Sequence, residues 1–233
     1  MIYLIIGFLF TGDVMKKKIK ILFLGNSLTY VNFLPLAVKK FFRKAGIDAE
    51  TVMITQGGKC LDWHLTHRDT EFNVKYGGYD YVVLQGKATG FDPDSFVDAG
   101  TKIINDMIKP AGSVPVLYLA WSLRGESEKQ PVMTGAYKKL SDATGALLAP
   151  AGEVWQRALR LRPAPDIYMP DGNHPTPAGT YLCAATIFYT VTGRRTALPV
   201  SERGGIFEEY GLDAATARKI NALALSESAR FPV

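Results

Sequence analysis

Lys18-Ile-Lys-Ile-Leu-Phe-Leu-Gly-Asn-Ser-Leu-Thr-Tyr30 reads as a buried strand that stops abruptly. Ile19, Ile21, Leu22, Phe23 and Leu24 form an almost unbroken apolar run, too short for a helix and suited to a strand covered on both faces. Gly25 then lets the backbone turn hard, and Asn26 and Ser27 are residue types that leave a strand and cap a helix. A serine in this position sits at the carboxyl end of a central strand, where open parallel α/β sheets place their ligands. Ser27 is therefore either a helix cap or a nucleophile. The second reading needs a base.

Far downstream, Tyr168-Met-Pro-Asp-Gly-Asn-His-Pro-Thr-Pro-Ala-Gly-Thr-Tyr181 places Asp171 and His174 on a short loop bounded by Gly and Pro, with Thr176-Pro177 as a helix start. An Asp three residues before a His can hold one ring nitrogen and leave the other for a serine hydroxyl. A surface turn that happens to contain both residues is the plainer alternative, and only Ser27 argues against it.

Together these stretches resemble the SGNH (GDSL-type) hydrolase family. Gly25-Asn26-Ser27-Leu28-Thr29 is similar to its first block, with Asn where Asp is commoner, and Asp171-Gly-Asn-His174 is similar to its last. The resemblance runs from Lys18 to about Arg195. It implies Ser27 as nucleophile, Asp171 as acid and His174 as base, and it implies a three-layer α/β/α sandwich with a five-stranded, mostly parallel, flavodoxin-like sheet.

Length and composition fit one domain. The 233 residues are 47% hydrophobic, enough for one large α/β core, and no linker-like stretch divides 16–233. The net charge of +5 is scattered between apolar positions without a recognised binding motif, so no nucleic-acid partner is expected. Two distant cysteines, Cys60 and Cys183, argue against a disulfide framework or a zinc site. Residues 1–15 form an apolar extension: Met1–Phe10 is too short to span a membrane and lacks the basic residues that precede an export signal's apolar core. If Met15 is the true start the protein is cytoplasmic; otherwise the extension is an export remnant or an added element on the domain.

The remaining site candidates fall at later strand ends. Asn32–Lys44 has helical periodicity and would begin at the nucleophile, aiming its free N–H groups at developing negative charge. A second strand, Glu50–Thr55, runs into Gln56-Gly57-Gly58-Lys59, matching in place the family's second block. The resemblance makes the Gly58 N–H an oxyanion donor, with Gly57 the second choice; an ordinary flexible turn is the alternative. His64 and His67 lack a third partner at metal-binding spacing, so no metal is expected, and His64 is assigned to the substrate cleft or to a structural role.

A third strand, Tyr79–Gln85, ends in Gly86-Lys-Ala-Thr89 where the family's third block reads Gly-x-Asn-Asp. Gln85 carries the missing amide one methylene longer and is the candidate third oxyanion donor, ahead of Thr89. Trp121, after the fourth strand, either lines the cleft or packs in the core. Asn26 and Gly57 join His64 and Trp121 as candidate substrate contacts.

Five strand–helix cycles imply right-handed crossovers and a mostly parallel sheet. No Gly-x-Gly-x-x-Gly follows the first strand and no Gly-x-Ser-x-Gly occurs, which argues against a dinucleotide enzyme and the α/β-hydrolase fold. The expectation is a cofactor-independent serine esterase acting on short acyl esters of small molecules or carbohydrate. An acyltransferase with the same triad and a catalytically weak carbohydrate-binding protein are the alternatives.

Overall fold

Ile21, Leu22, Phe23 and Leu24 are all buried, as their unbroken apolar pattern requires, in strand β1 (Ile19–Gly25) of the computed structural model, which describes residues 18–231. They can be covered on both faces because β1 is central. It pairs in parallel with β2 (Ala49–Thr55) on one side and β3 (Tyr81–Gln85) on the other, Leu24 facing both Ile54 and Leu84. Strands β4 (Val114–Tyr118) and β5 (Leu147–Ala149) continue outward, giving the all-parallel order β2-β1-β3-β4-β5. This is the three-layer α/β/α architecture expected. The order reverses direction between β1 and β3, so the loops leaving those strands diverge and open a crevice at their carboxyl ends.

A single turn, α1 (Ser27–Tyr30), follows β1, and α2 (Leu34–Lys44) follows that. The connection after β2 holds α3 (Leu61–Thr66) and α4 (Arg68–Tyr76). Helix α5 (Pro93–Ile103) follows β3, α6 (Gln130–Thr144) follows β4, and α7 (Ala151–Ala158), α8 (Pro177–Thr192) and α9 (Ala214–Arg230) follow β5. Helices α3, α5 and α6 pack together in one layer, and α2, α7, α8 and α9 in the other.

Helix α8 is buried along almost its whole length because it lies between α2, α7, α9 and β5. Phe41 of α2 meets Tyr181 and Phe188 at ring separations of 5.0 and 5.7 Å, and Phe42 meets Phe188 edge-on at 5.2 Å. Burying each such side chain contributes about 2 kcal/mol.

Three boundaries depart from expectation, for identifiable reasons. The helix predicted from Asn32 starts at Leu34, because Asn32 (φ 52°) and Phe33 (φ 54°) adopt the left-handed conformation and separate α2 from α1. Asn tolerates that conformation, and here its side chain gains two acceptors described below. The helix that Asp92-Pro93 opens and Pro110 is expected to end changes after Ile103 into a π-helical turn, Ile104–Ile108, with Lys109 N–H donating five residues back to Ile104 O at 2.9 Å. The last helix, which the sequence starts at Asp213 and carries to about Ala224, runs to Arg230. Its pattern is masked by Glu227, which is fully buried and ion-paired with Arg157 and Arg230. Met1–Phe10 and Met15 lie outside the described residues. No helix among the described residues is long and apolar enough to cross a membrane.

Trp121, just beyond β4, and Trp155 of α7 are both fully buried, with rings stacked 3.9 Å apart at an interplanar angle of 3°. Tyr168 closes the group edge-on to Trp155 at 4.9 Å. Trp155→Ala leaves a cavity under Trp121 and lowers the unfolding free energy by about 3–5 kcal/mol, to be read from urea denaturation; a loss below about 1 kcal/mol would contradict this packing.

Candidate active site

The turn after β1 is held from beneath by side chains of neighbouring strands. Gly25 passes so close to Thr29 and Gln85 that a Cβ there would lie 2.3 Å from the threonine hydroxyl and 2.7 Å from the glutamine carbonyl oxygen. Gln85 Oε1 accepts the backbone N–H of Asn26 at 3.0 Å and the Thr29 hydroxyl at 2.9 Å. Because the Asn26 N–H can only donate, the facing atom must be oxygen, and Nε2 is buried without a hydrogen-bond partner among the described residues. Gln85 thus braces the turn from a fully buried position and presents no N–H to the open cleft. This replaces the oxyanion-donor role expected for it.

Asn26, rather than Ser27, caps α1: its Oδ1 accepts the Leu28 N–H at 3.1 Å. Its Nδ2 donates to Lys59 O at 2.7 Å and to Gly86 O at 3.4 Å. One side chain therefore ties together the loops leaving β1, β2 and β3. At 2% exposure Asn26 belongs to the frame of the site and not to its substrate-facing surface.

His64 is likewise a frame residue. It is fully buried, and its Nε2 lies 3.0 Å from Gly25 O, an acceptor, so the proton sits on Nε2 and Nδ1 accepts from the Thr70 hydroxyl at 3.2 Å. Burial, the largest influence, pushes its pKa below the ordinary imidazole value. His67 stacks on Trp63 at 4.1 Å. Among the described residues no three His, Cys, Asp or Glu side chains gather as a metal site.

With its backbone fixed and the cap supplied by Asn26, the partly exposed Ser27 side chain is free to face His174. Ser27 Oγ lies 2.8 Å from His174 Nε2, and His174 Nδ1 lies 2.6 Å from Asp171 Oδ2. The carboxylate can only accept, so Nδ1 carries the proton, and Nε2 is left to receive the Ser27 O–H. The other carboxylate oxygen, Oδ1, accepts the backbone N–H groups of Asn173 (2.9 Å) and His174 (3.0 Å). The His174 hydrogen bond foremost, then these two amides, hold the Asp171 pKa down at about 2. The three residues stand in the hydrogen-bonded order that triad chemistry requires.

The Asp171–His174 loop is closed on itself and tied to its surroundings. Tyr168 and Pro175 form an antiparallel bridge, and Met169 N–H donates to His174 O at 2.8 Å. Trp121 Nε1–H donates to Asn173 O at 3.0 Å, so of the two readings, cleft or core, the indole takes the core and supports the loop from there, and is not a substrate contact. Asn32 Nδ2 donates to Pro175 O at 2.8 Å and to the Thr180 hydroxyl at 3.0 Å, linking the segment after Ser27 to the residue after His174. Asn32 escaped sequence reasoning because it was read as the start of a helix; an Asn just ahead of the Leu34-Pro35 helix start was the available signal.

On the other flank, Gln56–Lys59 forms an exposed turn closed by Lys59 N–H to Gln56 O at 3.2 Å, with Gly58 left-handed at φ 71°. That bond leaves the N–H groups of Gly57 and Gly58 outside the turn's own closure.

A three-layer sandwich with a 2-1-3-4-5 parallel sheet and a serine at the end of its central strand is the SGNH-hydrolase fold. Solved structures with the same fold include a DUF4886 family protein from Bacteroides uniformis, 20% identical with a TM-score of 0.66 over 90% of this chain and 94% of that one. TesA aligns at a TM-score of 0.62 and 13% identity over 75% of this chain and 98% of its own. A variant of Axe2, an acetyl-xylooligosaccharide esterase from Geobacillus stearothermophilus, aligns at 0.57 and 15% over 76% and 96%. At these identities the likeness is one of fold. No protein-family model and no curated protein matches the chain.

Two outcomes follow from this geometry. Asn26→Asp removes the donor that bridges Lys59 O and Gly86 O and sets a buried carboxyl against two carbonyl oxygens, lowering stability by about 1–3 kcal/mol; an unchanged urea midpoint would contradict the bridge. The Asp171 carboxylate stays ionised until the pH falls through about 2, so its contribution to loop stability is complete above the ordinary value of 3.8 and is lost only below it. Its carboxyl carbon resonance should titrate near pH 2 in the native protein and move upward toward 3.8 in His174→Ala. A midpoint that does not move would show that the backbone amides alone hold it.

Proposed function

We propose that this protein is a serine esterase that hydrolyses carboxylic esters with short acyl groups, carried on small molecules or on carbohydrate. The observation that supports it best is the continuous hydrogen-bonded chain Ser27–His174–Asp171, at 2.8 and 2.6 Å, joining residues 147 apart in sequence.

In the proposed reaction His174 Nε2 takes the Ser27 proton as Oγ attacks the ester carbonyl carbon, and the carbonyl electron pair moves onto oxygen. Asp171 stabilises the imidazolium and fixes its tautomer. The oxyanion is held by the N–H of Ser27, which as the first residue of α1 has no intrahelical acceptor, and by the N–H of Gly58. Collapse expels the alcohol, which takes the proton from His174. Water, deprotonated by the same imidazole, attacks the acyl-serine and releases the acid. The chemistry calls on no cofactor. Gly57 adjoins the donor and contributes to the substrate-facing edge. The short-acyl preference is supported by the polar Ser122–Ser127 loop and the lack of a long apolar lid segment in the sequence between the strands.

Hydrolysis of p-nitrophenyl acetate and butyrate should be measurable for the purified protein. Ser27→Ala and His174→Ala, checked to be folded, should each lose a hundredfold or more of kcat, about the scale of removing a nucleophile or its base. Variants as active as the native protein would overturn the site assignment, and three equally inactive proteins would overturn the short-ester substrate.

A further inference from the structure

The nucleophile side of the site is built into the sheet, whereas Asp171 and His174 ride on a surface loop that must be placed by something outside itself. Trp121, Tyr168 and Asn32 contribute, but Trp121 and Tyr168 also belong to the buried core. Arg124 is different. It is exposed, lies in the loop between β4 and α6, and directs its hydrogen bonds at this one loop. Its Nη2 donates to Tyr168 O at 2.9 Å and to Met169 O at 3.2 Å. Its backbone N–H donates to Gly172 O at 2.8 Å. Its guanidinium carbon lies 5.3 Å from the centroid of the Tyr168 ring.

These contacts bracket Asp171 on both sides. The fit is close: Gly172 is left-handed at φ 70°, and a Cβ there would stand 3.2 Å from the Arg124 Cβ. An exposed arginine ordinarily keeps its head group in water. Here one guanidinium nitrogen, Nη2, bridges two neutral carbonyls while the guanidinium lies over an aromatic face.

We infer that Arg124 is the positioning residue of the Asp171–His174 loop: it sets the separation between His174 Nε2 and Ser27 Oγ without touching either reacting atom. The inference rests on the proposed reading of these residues as the reacting set. Misplacement of a reacting group by about 1 Å is enough to cost on the order of a hundredfold in rate, and Arg124 links the loop to the end of β4, two strands from the end of β1 that carries Ser27.

The test compares the native protein with Arg124→Ala and Arg124→Lys in three measurements: kcat and KM for p-nitrophenyl acetate, the urea midpoint, and the low-field Nδ1–H proton resonance of His174. For Arg124→Ala, kcat should fall about 10- to 100-fold with KM within twofold of native and the urea midpoint little changed. The His174 resonance should broaden or move upfield. Arg124→Lys, whose ammonium nitrogen can donate to both carbonyls, should keep more of the native kcat than Ala, and added ethylguanidinium should restore part of the Ala variant's rate. Native kcat with a native His174 resonance in Arg124→Ala overturns the inference. The resonance separates the two proposals: if the native protein hydrolyses no ester, it still reports whether Arg124 holds the loop.

Discussion

The hydrogen bond from the Asn26 N–H to Gln85 Oε1 is the contact on which the site's geometry depends. A chain that turns sharply out of a central strand brings backbone polar groups into the sheet interior, where each one left unpaired costs about 1–3 kcal/mol. Gln85 satisfies the N–H of Asn26 and the hydroxyl of Thr29 together, and His64 satisfies the carbonyl of Gly25. The Asn26 side chain then pins the β2 and β3 loops to the same point. A buried network in which nearly every partner is fixed has few alternative arrangements. Ser27 therefore emerges from a rigid floor.

The opposite half of the site is organised by different means. Asp171 is 47% exposed at its side chain, so a low-dielectric environment cannot account for its behaviour. Its carboxylate is oriented by two amides of its own loop and by the imidazole, and these hydrogen bonds outweigh the opposing effect of burial on its pKa. Local bonding fixes the acid–base pair internally, and contacts from Trp121, Arg124 and Asn32 fix the pair relative to the sheet. The two halves meet in a single bond of 2.8 Å between Ser27 and His174. Errors on either side fall on that distance.

What could be read in the sequence followed from patterns with one physical cause. The apolar run Ile21–Leu24 has only a doubly covered strand as its explanation, and Gly25-Asn26-Ser27 only a tight exit from it. The strand and helix succession then fixed the sheet. Ser27, Asp171 and His174 stood out because their residue types have few structural uses in that order, and the fold brings them into one hydrogen-bonded chain. Residues with two uses were left open or misassigned. Trp121 and His64 suit a cleft as well as a core, and which one they occupy depends on the packing of α7 against β4 and of α3 beneath β1. Gln85 has an amide that can donate or accept, and only the facing Asn26 N–H decides between them. Glu227 hid the end of α9 because its buried carboxylate pairs with Arg157 of α7 as well as with Arg230 on its own helix, and the distant partner leaves no local signature.

The fate of Gln85 bears on the chemistry proposed. With its carbonyl oxygen committed to the turn that carries Ser27, the proposed reaction is left with backbone donors for the oxyanion, the N–H groups of Ser27 and Gly58. Helix polarity adds little, because α1 is a single turn and the left-handed pair Asn32–Phe33 separates it from α2, so no long helix is aimed at the reacting centre. A well-placed oxyanion donor is worth about 3 kcal/mol, so a centre with two stabilises the tetrahedral species less than one with three. On the proposed esterase reading, a centre with two donors would ask more of the fit between carbonyl oxygen and amides than one with three, which is consistent with the short acyl groups proposed above.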